Sequence, residues 1–332
     1  LKIFYIGDVR EGTTTLDRMR ALERLGHVLV PFNISPYQPQ NRVINSIKSR
    51  LKPRFMLQKM NDDIRTLVEQ TAGIDCAWVD KGTLVFPETV EFLRKKCGVT
   101  IHYTPDPQIL FFRSRHFSQS IPIYDHLVTT KDFELALYTE NGAKNVIHVP
   151  QSYCPVRYKN PTPSMKFSAE VGFIGRCEPH YLKQINGMNG VEKVVIFGDQ
   201  WAKPQNRKHV DASFTVNGSV WKEDYVSALA SFKISLGLLS KNYPEQHTTR
   251  TFEIPAAGTF LLAERTAEHQ GFFEEGVEAE FFSSPEEMLS KAKFYLVNGA
   301  ARDKISARGR IRCTTSGYDT DSVMKKILSN VV

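Results

Sequence analysis

Apolar residues along the chain fall in short dense runs that alternate with stretches of helical spacing. KIFYIG over residues 2–7 is such a run, closed by the turn DVREGTTT. Leu16, Met19, Leu22 and Leu25 then recur at helical spacing until Gly26, and VLVPF supplies a second strand. The pattern resumes after residue 73 with CAWVD, a helix over Pro87–Lys96, VTIHYTPDP, the strand-like HLVTT, a helix over residues 131–141 and VIHVPQ. Alternation at this spacing predicts a parallel sheet with helices on its faces.

A proline-marked stretch, CPVRYKNPTPSMKF, separates this half from a second strand-helix series. That series begins at AEVGFIG, continues through KVVIFGDQW and KISLGLLS, and ends in helices over 286–297, around 300–312 and from about Asp319 to Leu328. With 332 residues the chain exceeds the roughly 250–300 at which one core stops growing, so two domains are expected. The expected division is 1–153, 154–314 and a terminal helix within 315–332, with the junction at Cys154.

Residues 42–60 form a basic, weakly amphipathic segment. Lys48, Arg50, Lys52, Arg54 and Lys59 are interleaved with Ile44, Ile47, Leu51, Phe55, Met56 and Met60. One reading is a surface helix whose cationic side chains cover apolar surface; the other is a membrane-surface or acceptor-docking element.

Composition narrows the classes. An apolar fraction of 41% and a charged fraction of 24% are those of an ordinary globular chain, and the longest apolar runs fall far short of a bilayer span. Five scattered cysteines with no C-x-x-C pair suit reduced thiols, so a cytoplasmic location is expected, with peripheral membrane contact through 42–60 as the variant reading. A net charge of +7 suits anionic partners, but the cations are dispersed and no nucleic-acid module is visible, so nucleic acid is not expected. No G-x-G-x-x-G follows a strand, no P-loop pattern exists, and no His, Cys or carboxylate set has metal-ligand spacing. Neither a cofactor nor a metal is expected.

Open parallel sheets bind ligands outside the carboxyl ends of their strands, so the turns there are the places to look. Gly175-Arg176 follows VGFI, where a glycine admits backbone amides to a phosphate and the arginine supplies charge. Gly198 follows VVIF, with Trp201 as a base-stacking wall or a core residue. In NYPEQHTTRTFEIPAAGTFLLAE, Glu245 and Glu253 are separated by seven residues, and Glu253 is expected to open a small-residue helix. Two carboxylates approaching one pocket suit sugar recognition, since each can accept two hydroxyl hydrogen bonds. Thr248, Thr249 and Arg250 in the same element are candidates to meet a leaving diphosphate. In the first half, His102 and Asp106 are candidates to orient or deprotonate an acceptor hydroxyl, with Asp80 and Lys81 on the same acceptor side.

RTFEIPAAGTFLLAE followed by GFFEEGVEAEFFSSPEEM resembles the C-terminal signature of group 1 glycosyltransferases, specifically the CgeB-like branch. IGDVREGTTTLDRMRALERLGH, WVDKG, HYTPDP and YDHLVTTK are similar to the same branch. The resemblance implies a GT-B fold: two Rossmann-like domains facing each other across a cleft, acceptor on the first and nucleotide sugar on the second, with the last helix crossing back. It implies a sugar transfer from a nucleoside-diphosphate sugar, a UDP-sugar foremost, to an unknown acceptor (glycan, lipid, protein or small molecule), with retention and without metal. It puts the donor ribose on Glu253, the transferred sugar near Glu245, and the diphosphate near Gly175 and Arg176. The glycine-rich loop of the first domain is reduced to Gly12. A nucleotide-sugar epimerase of the same fold and a non-catalytic sugar-nucleotide-binding protein remain the alternatives.

Overall fold

Near-continuous apolar runs need both faces covered, and the chain covers them with helices. The structure, a computed structural model, describes residues 1–38 and 54–331. It divides into two compact units, Leu1–Pro150 with Thr320–Val332, and Gln151–Asp319. The expected junction at Cys154 lies inside the second unit, because the Gln151 amide already donates to His247 and the Tyr153 amide to the Tyr318 carbonyl.

The first unit contains β1 (Lys2–Gly7), α1 (Thr14–Arg24), β2 (Val28–Asn33), α2 (Arg54–Glu69), β3 (Cys76–Asp80), α3 (Pro87–Lys96), β4 (Val99–Thr104), α4 (Arg115–Ser120), β5 (His126–Thr129), α5 (Leu135–Glu140) and β6 (Val146–His148). Its sheet has the order β2-β1-β3-β4-β5-β6, and every pairing is parallel. The expected helix over 131–141 is split into a 3-10 turn at Asp132–Glu134 and the short α5. Across one face Tyr5, Trp78 and Tyr103 stack ring on ring at 6.2 and 6.1 Å. The final helix α13 (Thr320–Ser329) buries Val323, Met324, Ile327 and Leu328 in the same core as Leu16, Met19 and Leu22 of α1. Arg24 ties the two helices through Asp321. Of the basic segment, residues 42–53 lie outside the described part; Met60 is buried and Lys59 is an exposed ion-pair partner of Asp63.

The second unit contains β7 (Ala169–Ile174), α6 (Pro179–Asn186), β8 (Val194–Phe197), α7 (Pro204–Arg207), β9 (Thr215–Asn217), α8 (Lys222–Ala230), β10 (Phe232–Gly237), α9 (Arg250–Ala256), β11 (Phe260–Glu264), α10 (Ala267–Phe272), β12 (Glu280–Phe282), α11 (Pro285–Val297) and α12 (Gly299–Thr315). Its parallel sheet runs β12-β11-β10-β7-β8-β9, so that the chain turns back on itself between β7 and β10. Helix starts follow the sequence: Ser284 accepts from the Glu287 amide with Pro285 at the first position of α11, and Thr266 accepts from the His269 amide at α10. Among the described residues, no helix is long and apolar enough to cross a membrane.

Candidate active site

The reversal of strand order in the second unit falls between the carboxyl ends of β7 and β10, where an open α/β sheet leaves its ligand crevice. Two glycine turns are packed there backbone to backbone. The Gly175 amide donates to the Phe197 carbonyl at 2.9 Å. A Cβ on Gly198, at φ 152°, would sit 1.9 Å from the Gly175 carbonyl oxygen, and a Cβ on Gly175 would meet the Phe173 ring at 2.6 Å. Neither position admits a side chain without moving main chain or a core ring.

Arg250 closes the reversal. As the first residue of α9 it donates through Nη1 to the Ile174 carbonyl at 3.2 Å and through Nη2 to the Leu238 carbonyl at 3.3 Å, bridging the ends of β7 and β10. Its guanidinium carbon stands 5.6 Å from the centroid of the Phe173 ring, and its Nε is buried without a partner. Burial works against this cation, but Tyr181, Tyr225, Glu245 and Glu253 more than offset it, and the pKa rises above the usual guanidinium value. The site therefore holds a fixed positive charge with one donor to spare.

Both glutamates of the seven-residue spacing surround that charge. Glu245 and Glu253 are each 9% exposed, and both act on Arg250. The helix opens three residues before Glu253, at Arg250, because the Thr249 carbonyl already accepts from the Glu253 amide. Glu253 accepts the Tyr225 hydroxyl at 2.7 Å through Oε2. Burial raises its pKa above the ordinary carboxylate value, against the pull of Tyr225, Arg250, Arg157 and Thr249.

A polar scaffold outside these residues holds the loops. Ser240 and Asn242 donate to Glu178 at 2.7 and 3.2 Å, fastening the turn after β10 to the turn after β7. Glu264, at the end of β11, accepts the Leu239 amide at 2.7 Å, pairs with Lys241 at 2.6 Å and faces His180 Nε2 at 3.0 Å. His247 accepts the Gln151 amide at Nε2, so its Nδ1 carries the hydrogen given to Glu268. With the Gln200 amide oxygen turned toward it, Arg176 donates to that oxygen at 2.5 and 2.9 Å. Thr248 donates its amide to the Thr251 hydroxyl. Tyr225, Arg157 and the Glu178–Ser240 link carry no local sequence signal; they meet the site only through packing. Among the described residues, no three His, Cys, Asp or Glu side chains group to hold a metal ion.

Several sequence candidates have other roles. Trp201 is not a stacking wall: it is wholly buried, packs edge-on against Phe173 and donates its indole N–H to the Gly175 carbonyl at 2.7 Å. His102 is not an accessible base. It is wholly buried between Phe117 and Tyr124, with Nε2 3.2 Å from the Lys81 carbonyl, and burial lowers its pKa to about 4. Asp80 belongs to the core rather than to an acceptor surface, since Arg18 grips both its oxygens at 2.7 and 2.9 Å and Tyr5 adds a hydrogen bond at 2.9 Å. Lys81 pairs with Asp106 at 2.7 Å, and both are partly exposed at the carboxyl edge of the first sheet. Gly12 is exposed at φ 86° in the turn before α1.

Residues 179–329, which carry the second glycine turn, Arg250 and both glutamates, match the family model described as glycosyl transferase-like. The rest of the architecture agrees with it at the level of fold. HepE of Anabaena in complex with UDP-glucose superposes with a TM-score of 0.68 at 10% identity, covering 99% of each chain. An alpha-glucosyltransferase in complex with UDP-glucose and DNA containing an abasic site gives 0.71 at 12%, covering 99% of this chain and 98% of that one. Sucrose-phosphate synthase from Thermosynechococcus elongatus gives 0.69 at 11%, with the same coverage. No curated protein matches the sequence significantly. The fold is GT-B, and the two six-stranded parallel sheets are its two Rossmann-like halves. The crevice between β7 and β10 takes Arg250 and both glutamates from the matched residues, while β7 and Gly175 precede them.

Proposed function

We propose that the protein transfers a hexosyl group from a UDP-sugar to an acceptor hydroxyl, with retention of configuration and without a metal ion. The observation that carries this is the buried Glu253–Arg250–Glu245 constellation at the strand reversal of the second unit. Glu253, held by Tyr225, takes ribose hydroxyls; Glu245 takes hydroxyls of the transferred sugar. In the reaction the bond from the anomeric carbon to the diphosphate oxygen breaks and a bond to the acceptor oxygen forms. The charge that builds on the departing diphosphate is met by the Arg250 guanidinium and by Arg176. These cations support the metal-free reading, UDP-glucose in two of the structural neighbours supports the donor, the motif at Arg250–Glu264 supports the CgeB-like branch, and the Glu245/Glu253 spacing supports retention.

Glu253→Ala is expected to weaken UDP-sugar binding by about 1.5–3 kcal/mol, the worth of hydrogen bonds to a charged acceptor. By calorimetry this is a loss of roughly 10- to 150-fold in Kd; unchanged affinity removes Glu253 from the ribose. Product anomer analysis by NMR tests retention, and an inverted product rejects it.

A second expectation concerns pH. Glu253 binds ribose as a carboxylate, and its pKa is raised, so donor affinity falls with falling pH at a higher pH than for an ordinary carboxyl group. Tyr225→Phe deletes a hydrogen bond that favours the charged form and moves this acid limb further upward. Titrations of donor affinity against pH that overlay for the two proteins disconnect Tyr225 from the site.

A further inference from the structure

The chain following β4 presents three consecutive large apolar side chains to solvent. Leu110, Phe111 and Phe112 are 37%, 44% and 52% exposed. Such exposure on one rigid turn is unlike the scattered exposed apolar residues normal on a protein surface. Phe111 keeps an edge contact to Phe133 at 6.4 Å, yet both rings of the pair Phe111–Phe112 remain half in water.

The amides of this knuckle are all bonded within the fold. The Ile109 and Leu110 amides donate to Oε1 of the buried Glu134 at 3.0 and 2.8 Å. The Phe111 and Phe112 amides both donate to the Pro107 carbonyl, at 3.3 and 2.9 Å. The Ile109 and Leu110 carbonyls accept from Arg113 Nε at 3.1 Å each. A segment whose amides are bonded internally can leave water without stranding polar groups, which is the condition for entering a lipid interface. Holding a carboxylate inside the fold for this purpose has a cost: burial pushes the Glu134 pKa up despite the amides that pull it down.

The charges beside the knuckle select the surface. Residues 107–124 contain no acidic side chain and carry Arg113 and Arg115, both exposed. The nearest preceding carboxylate, Asp106, is paired with Lys81. Exposed phenylalanines flanked by arginines fit a bilayer surface of anionic headgroups, the rings entering the acyl boundary and the guanidinium groups the phosphates. A second copy docked through the same patch would bring like-charged arginines together, which opposes it.

We infer that the Leu110–Phe112 knuckle, with Arg113 and Arg115, docks the first unit onto anionic lipid membranes. The inference goes beyond the transferase reading and does not rest on the donor site.

The test is co-sedimentation of the full chain with phosphatidylcholine vesicles with and without phosphatidylserine. Binding is expected only with phosphatidylserine, weakening as salt rises, and the double variant Phe111→Ser/Phe112→Ser is expected to lose about tenfold or more in partitioning. Arg115→Gln weakens binding at low salt. Phe112→Trp, which keeps the knuckle, acquires fluorescence quenched by brominated acyl chains. Thermal midpoint and UDP binding stay at wild-type values in each variant, which separates loss of docking from loss of folding. Three results overturn the inference: no binding of the wild type to anionic vesicles, equal binding by the double variant, or a wild-type dimer in sedimentation that the double variant abolishes.

Discussion

Arg250→Met lowers kcat for sugar transfer by about 10²–10³-fold, the usual consequence of removing one preorganised donor from a developing oxyanion. Arg250 is fixed by two strand-end carbonyls, faces two buried glutamates and leaves Nε without a partner. A ground-state role alone raises KM, whereas a donor that strengthens as the diphosphate leaves lowers kcat. Arg250→Lys keeps the charge but not the fork that spans β7 and β10, so it recovers little of the rate. Steady-state kinetics with a UDP-sugar, alongside the thermal midpoint, separates chemistry from folding. An unchanged kcat reduces Arg250 to a clamp between two strands.

Asp80→Ala destabilises the first unit by about 3–5 kcal/mol, the cost of leaving one partner of a buried ion pair uncompensated. The Asp80 side chain is wholly inaccessible and that of Arg18 nearly so; the guanidinium also lies 4.5 Å from the centre of the Tyr103 ring. Burial opposes the Arg18 charge, and Asp80 more than restores it, raising its pKa. Removing the carboxylate strands that cation at the carboxyl ends of β1 and β3. Replacing both partners with apolar residues of similar volume is expected to recover much of the loss, as buried pairs trade closely against well-packed side chains. Urea unfolding checks both variants, with UDP binding unchanged because the proposed donor residues belong to the other unit. A small effect of Asp80→Ala means that water reaches Arg18.

The consequence for the first unit is that its strand-end crevice is filled by protein. Arg18 and Thr15 from α1 and Tyr5 from β1 all converge on Asp80. In the second unit the equivalent place holds a cation with an unused donor. Two sheets of similar construction thus differ in the polar groups at the ends of their central strands.

Much of this was legible along the chain. Continuous apolar runs are what parallel strands covered on both faces require, so KIFYIG, CAWVD, VGFI and VVIF declare themselves. Glycines at strand ends and the glutamate spacing in the β10–α9 element likewise stand out, because backbone approach and charge depend on residue type. Less legible was which polar residues face a ligand. His102 and Asp80 occupy positions like those of a site, yet one is sealed by aromatic rings and the other is consumed by Arg18. Trp201 shows the same limit: its spacing from Gly198 suits stacking, while packing turns its N–H inward to Gly175.

By itself, then, the sequence determined two α/β halves, the six strands of the first and three of the six in the second, and a glutamate-bearing element in the second, since periodicity and turn chemistry are local properties. Only the tertiary structure decided that Arg250 spans β7 and β10, that Tyr225 holds Glu253, and that Arg18 neutralises Asp80. Partners 76, 28 and 62 positions apart leave no periodic trace, and whether a charge is spent or available depends on what the fold brings beside it.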